Sequence, residues 1–263
     1  MVNTGLIRPV RSFTALVLCL LSATGAFAFD INAGVTKESG PFDLFKFGFK
    51  AYQNGQKKDA VEAYRYAAEQ GHTASQYALA EMYADGDGVV KNDFEAFKIY
   101  SRIASRGVEP GSNDTGFFIY SLMSLAQYFR QGIPGSPVGV DLAQARQIYF
   151  QVASTFGVPE AQFQLGQMLL VGEGGKASVK QAKKWLNVAR KNGHGGAMAV
   201  FGNLIFQEGQ TAQGLAFMTA ALDKCEPKDC GWVQELQEQA FSVATEDDRR
   251  VAVALAPRVD GAE

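Results

Sequence analysis

The stretch Gln76 to Gly107, QYALAEMYADGDGVVKNDFEAFKIYSRIASRG, reads as two helices joined by a glycine turn and closed by a glycine, and its repetition decides the fold. Tyr77, Ala80, Tyr83 and Ala84 recur at helical spacing, which predicts the packed face of a first helix. Gly86 and Gly88 supply turn positions with positive φ. Asn92, with Glu95 three residues on, has the pattern of a capping box and opens a second helix. Small Ala96 and the large pair Ile99 and Tyr100 are expected to meet the partner helix, and Gly107 ends the unit. One hairpin of this kind cannot bury both its faces, so it requires neighbours.

The neighbours are in the chain. Leu79, Met82, Gly86, Gly88, Ala96, Ile99 and Gly107 recur 86 residues later as Leu165, Met168, Gly172, Gly174, Ala182, Trp185 and Gly193. A third copy between them ends at Gly157, with Leu125 and Ala126 in its first helix and Ala145, Ile148 and Tyr149 in its second. The caps repeat too: Asn92 with Glu95, Asp141 with Gln144 and Ser178 with Gln181. An upstream copy, Gln56 to Gly71, keeps Ala60, Ala63 and Tyr64 but lacks the box, as terminal repeats do. After Gly193 the pattern shortens through Phe201, Gly202, Gly209 and Leu215. These periods predict an all-α solenoid over residues 42–225, C-terminal capping helices over 226–256 and a mobile tail over 257–263. The last helices are expected at Val233 to Ala244 and, capped by the stretch Thr245-Glu246-Asp247-Asp248, at Arg249 to Leu255.

Residues 1–28 read as a cleaved signal peptide. Arg8 and Arg11 form its basic start, Ala15 to Leu21 its apolar run, and Ala26-Phe27-Ala28 a small-x-small cleavage site. That run is shorter than the roughly 20 residues a membrane span needs, so no membrane insertion is expected after cleavage. A flexible leader over 29–41 then precedes the array, and the expected location is the periplasm. Without Arg8 and Arg11, 23 basic residues stand against 27 acidic ones. That balance argues against nucleic acid or anionic lipid as partner, both of which are bound through clustered Lys and Arg.

Three departures from the repeat are candidate functional features. Phe42, Phe45 and Phe49 share a helical face that either packs under the helix Gln56 to Gln70 or forms an exposed aromatic anchor. The third unit is long, its closing glycine falling 50 residues after Gly107 where the neighbouring intervals are 36. The surplus is expected in two loops, Val108 to Gly116 and Gly132 to Val140, which are either neutral length variants or places where partners bind and proteases cut. Pro110, Gly111, Ser112, Asn113 and Asp114 in the first, and Pro134, Gly135 and Pro137 in the second, are the candidate sensitive positions. Cys225 and Cys230, the cysteines left after cleavage, are expected to pair in an oxidising compartment.

No phosphate-binding glycine loop, zinc-ligand spacing or nucleophile elbow occurs, so no cofactor, metal or catalytic residue is expected. His72 and His194 each follow a closing glycine and so hold equivalent positions, which makes them architectural by default and, as a weaker alternative, acid-responsive. Asp87 and Glu173 fall in the interhelical turns and are expected to be solvated.

The segments ALAEMYADGDGVVKNDFEAFKIY and FQLGQMLLVGEGGKASVKQAKKWL resemble Sel1-like repeats, relatives of the tetratricopeptide repeat. The likeness is strong for the units ending at Gly107 and Gly193 and fair for those ending at Gly71 and Gly157. It implies a right-handed α-solenoid of helix-turn-helix repeats. GVTKESGPFDLFKFGFKAYQNGQ, EAYRYAAEQGHT, KKWLNVARKNGH and ATEDDRRVA resemble a narrower family, the periplasmic exopolysaccharide regulators of plant-associated bacteria. That resemblance implies a non-enzymatic negative regulator that binds the periplasmic domain of a sensor histidine kinase and is removed by a periplasmic protease. A scaffold or chaperone for envelope or polysaccharide-synthesis proteins is the alternative, and a glycan-active enzyme the least favoured one.

Overall fold

The computed structural model describes residues 35–109, 111–227 and 230–259. The signal peptide and its cleavage site, most of the leader, Pro110 and the end of the tail lie outside the described residues. Within them are twelve α-helices and no strand. They are α1 (Pro41–Gln53), α2 (Lys57–Glu69), α3 (Thr73–Asp85), α4 (Asp93–Arg106), α5 (Thr115–Gln131) and α6 (Leu142–Thr155). The second half holds α7 (Pro159–Val171), α8 (Val179–Lys191), α9 (Gly195–Gln207), α10 (Thr211–Ala221), α11 (Cys230–Val243) and α12 (Glu246–Leu255). The first ten form five hairpins stacked in order, an all-α solenoid whose main core runs from Ala51 to Ala197. Hairpin α9–α10 closes it with α11 and α12 through two smaller clusters.

Small residues stand at the hairpin crossings. Ala80 of α3, Ala96 of α4, Ala126 of α5 and Ala145 of α6 have no exposed surface. In α1–α2, α7–α8 and α9–α10 a glycine brings the helices closer, and a Cβ on Gly166 would lie 2.8 Å from Leu186 Cγ. A Cβ on Gly48 would come within 2.8 Å of the Tyr64 ring, and one on Gly202 within 2.7 Å of the Gly214 carbonyl oxygen. The unit after Gly193 is therefore short but not degenerate, since its crossing is the one made by two glycines.

The caps hold in half of the expected form. The side chains of Asn92, Asp141 and Ser178 accept the amides of Glu95, Gln144 and Gln181 at 3.0, 2.9 and 3.3 Å. The returning arm of the box is not made. The cap residues' own amides donate to carbonyls of the preceding helix, Asn92 to Tyr83, Asp141 to Phe129 and Ser178 to Leu169, at 2.7–2.8 Å. With those donors satisfied by the first helix, Glu95 turns to Lys98 instead. Both roles of the turn glycines are visible at Gly88: its φ is +78°, and a Cβ there would lie 2.8 Å from Cβ of Lys57, at the start of the preceding unit's second helix.

One expectation is refined and three are corrected. The buried face of α3 runs through Ser75, Gln76, Leu79, Ala80 and Met82, while Tyr77, Tyr83 and Ala84 are half-buried. These half-buried side chains still pack against the core, at its edge. The surplus of the third unit is not confined to two loops. Part of it lengthens α5 to 17 residues against 13 in α3, and Thr115 and Gly116 are helical. The C-terminal helices start earlier than expected, α11 at Cys230 and α12 at Glu246. Of the stretch expected as the cap, Thr245 alone fills that role, its Oγ1 accepting the Asp248 amide at 3.1 Å, and Glu246, Asp247 and Asp248 form the first turn of the helix. Finally, Asp87 and Glu173 are not merely solvated turn residues. Asp87 accepts from Tyr52 Oη at 2.7 Å and pairs with Lys57, and Glu173 pairs with Arg130 at 2.7 Å.

Candidate interaction surface

The first helices α3, α5 and α7 line a continuous groove. Its central portion, about 540 Å³, is bordered by Tyr77, Glu81, Tyr120, Gln127, Tyr149 and Glu160, among others. It opens at one end toward Phe49, Tyr52 and Asp85, and along its edge toward Asp93, Tyr128 and Pro134. Tyrosines occupy the groove because the position eight after each cap is Tyr64, Tyr100 and Tyr149 in three units, a residue long enough to reach past the small crossing. Tyr77 ties the rings together, with centroids 5.9 Å from Tyr100, 5.6 Å from Phe117 and 6.1 Å from Tyr120.

Polar partners hold these rings. Tyr100 donates to Glu81, and Tyr128 donates to Asp93 at 3.0 Å. Burial, and for Tyr100 and Tyr128 the adjoining carboxylates, push their phenols far up, and burial pushes Tyr64 and Tyr149 up to about 12. The phenols are thus neutral hydrogen-bonding groups across the physiological range. A second network crosses three units. Glu173 accepts from Arg130, whose Nη1 donates to Gln164 Oε1 at 2.9 Å. Gln164 donates to Glu160 Oε1 at 2.7 Å, and the other oxygen of Glu160 meets His194 Nε2 at 2.8 Å. Lys57, Lys91 and Arg130 each face a carboxylate of the groove, whereas among the described residues Glu81 and Asp85 form no ion pair. The surface therefore offers exposed aromatic area and residual negative charge. Tyr120 is 57% and Phe49 50% exposed.

His72 and His194 are N-caps. Their Nδ1 atoms accept the amides of Ser75 at 3.2 Å and Ala197 at 3.0 Å, at the starts of α3 and α9. Each ring packs on a phenylalanine, Phe45 at 4.9 Å and Phe163 at 4.4 Å. Sequence placed them as equivalent, but no periodicity identifies a histidine as a cap. Burial holds the His72 imidazole below the ordinary histidine range, against a smaller opposing effect of Asp114.

The three leader phenylalanines separate. Phe45 packs on Tyr64 and His72, while Phe42 and Phe49 are exposed and Phe49 joins the groove. The two loops separate as well. Gly111, Ser112, Asn113 and Asp114 are exposed, with Asp114 accepting from Thr73 at 2.8 Å. The turn of Pro134, Gly135 and Pro137 is pinned by buried Ile133, whose amide donates to the Val138 carbonyl at 2.8 Å. Cys225 and Cys230 are joined by a disulfide between α10 and α11. Sequence reasoning missed Gln76 and Gln162, buried amides 86 positions apart. Their Nε2 atoms donate to the carbonyls of Ala68 and Ala153, and their Oε1 atoms accept from Arg106 and Asn192, so each sews one unit to the last. Their recurrence at the repeat offset was the available signal.

Among the described residues no group of His, Cys, Asp and Glu could hold a metal ion, and no helix is long and apolar enough to cross a membrane. The Sel1 repeat matches residues 44–72, 73–108 and 159–194, leaving the long third unit unmatched. An "Exopolysaccharide production negative regulator" of Rhizobium leguminosarum bv. viciae is 76% identical over 87% of this chain and 85% of its own. A protein of the same description from Rhizobium meliloti (strain 1021) is 68% identical over 94% of each chain. Among solved structures, a protective antigen of uropathogenic Escherichia coli displaying an SLR fold aligns with a TM-score of 0.66 and 25% identity, over 83% of this chain and 45% of its own. A Sel1 repeat protein from Oxalobacter formigenes aligns with a TM-score of 0.63 and 19% identity, over 85% and 88%.

Proposed function

The chain belongs to the family of exopolysaccharide production negative regulators, and from that premise we propose that it restrains exopolysaccharide synthesis as an exported, non-enzymatic binding protein. Its partner in this reading is the periplasmic sensing domain of a sensor histidine kinase, bound along the first-helix groove. The observation that carries the binding mode is the groove itself. Exposed Tyr120 and Phe49, and Glu81 and Asp85 with no ion pair among the described residues, lie on one surface held rigid by inter-unit networks. Tyrosine is among the residues enriched in interface anchors. Binding shifts the kinase toward its inactive conformation only to the extent that the groove prefers that state.

Proteolysis removes the restraint in this reading, and cleavage needs locally extended chain. The connection through Gly111, Ser112 and Asn113, exposed throughout, suits a protease better than the turn at Pro134 to Pro137, which buried Ile133 pins. The test is calorimetric titration of the mature chain into the isolated sensing domain. Saturable binding weakened at least about tenfold by Tyr120→Ala and by Asp85→Lys is expected, in the range of interface anchors. No association at neutral pH, or capture of polysaccharide-synthesis proteins in place of the kinase, overturns the reading and favours an envelope scaffold.

A further inference from the structure

The opposite, second-helix side of the array carries a groove of a different character. α6 and α8, second helices of adjacent units, form the walls of a trough of about 620 Å³ floored by Leu165 and Leu169 of α7. The wall aromatics are Phe150 and Trp185, meeting edge to face at 6.0 Å. Both depart from the repeat. Counted from the caps, the position of Trp185 holds Ile99 and Ile148 in other units, and that of Phe150 holds Ser101 and Asn187. Packing of the repeat therefore does not demand a ring at either place, yet Phe150 is 52% exposed. Leaving large apolar side chains in one open trough marks an interaction site more often than chance scatter does.

Charge identifies the occupant. Of the charged side chains, Arg146 and Lys184 line the trough, and its walls α6 and α8 carry no Asp or Glu, in a chain whose formal charge is −2; Lys183 pairs with Glu208, and Arg190 stacks on Phe201 and Phe217 away from the trough. Arg146 is held over the trough by the carbonyls of Glu173 and Lys176, at 3.3–3.4 Å, and not by a carboxylate. Two helices bounding an apolar trough match the groove that receives an amphipathic helix. The walls run over residues 143–150 and 181–188, roughly 10 Å at 1.5 Å per residue, which accommodates about two turns.

We propose that this trough seats a short amphipathic helix of a protein partner, its apolar face against Phe150, Trp185 and Leu169 and its acidic flanks toward Arg146 and Lys184. This face is distinct from the groove assigned to the kinase and of opposite charge, so the array can hold two partners at once. An acidic glycan would also meet the cations, but the mostly apolar lining favours the helix.

The test uses the mature full chain and a fluorescent helical peptide of about 14 residues, near the shortest length at which an isolated helix is populated. Its leucines follow i, i+3, i+4, i+7 spacing with glutamates on the flanks, and a twin peptide carries lysines in their place. Saturable binding of the acidic peptide with Kd below about 100 μM is expected, weakening at least tenfold in Trp185→Ile, Lys184→Glu and high salt, with no binding of the lysine twin. Trp185→Ile and Phe150→Ser restore residue types that other units carry, so both variants keep the fold, as circular dichroism checks. No binding of the acidic peptide below about 1 mM, or binding indifferent to Trp185→Ile and Lys184→Glu, overturns the proposal. So does binding of oligogalacturonate that Trp185→Ile abolishes while the peptide does not bind.

Discussion

Replacing His72 by Asn separates the geometry of the α3 cap from its titration. The neutral imidazole accepts the Ser75 amide through Nδ1 at 3.2 Å and meets Ser75 Oγ at 2.9 Å. A protonated Nδ1 is a donor and cannot accept, so the amide loses its partner. Loss of an N-cap costs about 1 kcal/mol, and a cation at a helix N-terminus adds about 0.3–1 kcal/mol. Burial already holds the folded-state pKa of His72 below its ordinary value. The unfolded chain therefore takes up the proton first as pH falls. The contribution of His72 is complete above the unfolded value of about 6.5 and is lost as pH drops below it toward the folded value. Asparagine is an equally good cap that does not titrate. Between pH 7.5 and 5.0 the wild type should lose about 1–2 kcal/mol more than His72→Asn, or about 2–8 °C of melting temperature for a chain of this size. Thermal unfolding followed at 222 nm at the two pH values measures the difference. Equal acid losses in the two proteins would refute the cap as the titrating element.

Other outcomes follow from the same contacts. Gly202→Ala forces a Cβ to 2.7 Å from the Gly214 carbonyl oxygen and 2.9 Å from Phe217 Cβ, and that overpacking of about 1–3 kcal/mol outweighs the helix propensity gained. Gly231→Ala meets open space in α11 and should stabilise by about 0.5–1 kcal/mol, so denaturant midpoints moving in the same direction would contradict the close crossing. Limited proteolysis of the intact chain should cut first at residues 111–113, read by mass spectrometry; a first cut at 134–137 would reverse the ranking of the two loops. Reduction of Cys225–Cys230 removes the closure of a loop with sequence separation 5 and should cost about 2 kcal/mol, seen as faster amide exchange in α11. Unchanged exchange would show that the packing on α9 and α10 holds that helix without the disulfide.

Much of the array was legible because its signals are local. A small residue must stand where two helices cross, a cap must stand where a helix starts, and a glycine must stand where φ is positive, so Ala96, Asn92 and Gly86 announce themselves and repeat. The site was less legible. Tyr77, read as part of a packed face, does pack on the core but also lines the centre of the groove, a second role that its spacing does not reveal. Asp87 and Glu173, read as solvated, clamp successive units, since their partners Lys57 and Arg130 lie 30 and 43 positions away.

By itself, then, the sequence determined that this chain is a stack of helical hairpins, how many residues each contains, and where the stack departs from its own rule. Those are consequences of short-range sterics and hydrogen bonding, which a period reveals. Only the tertiary structure decided which faces remain open. Whether Phe45 packs while Phe49 does not, whether Glu81 forms an ion pair, and whether Phe150 and Trp185 meet across one trough depend on how one unit is rotated and spaced against the next. That placement is set by the crossing glycines, the buried glutamine staples and the inter-unit clamps acting together, and no single segment contains it.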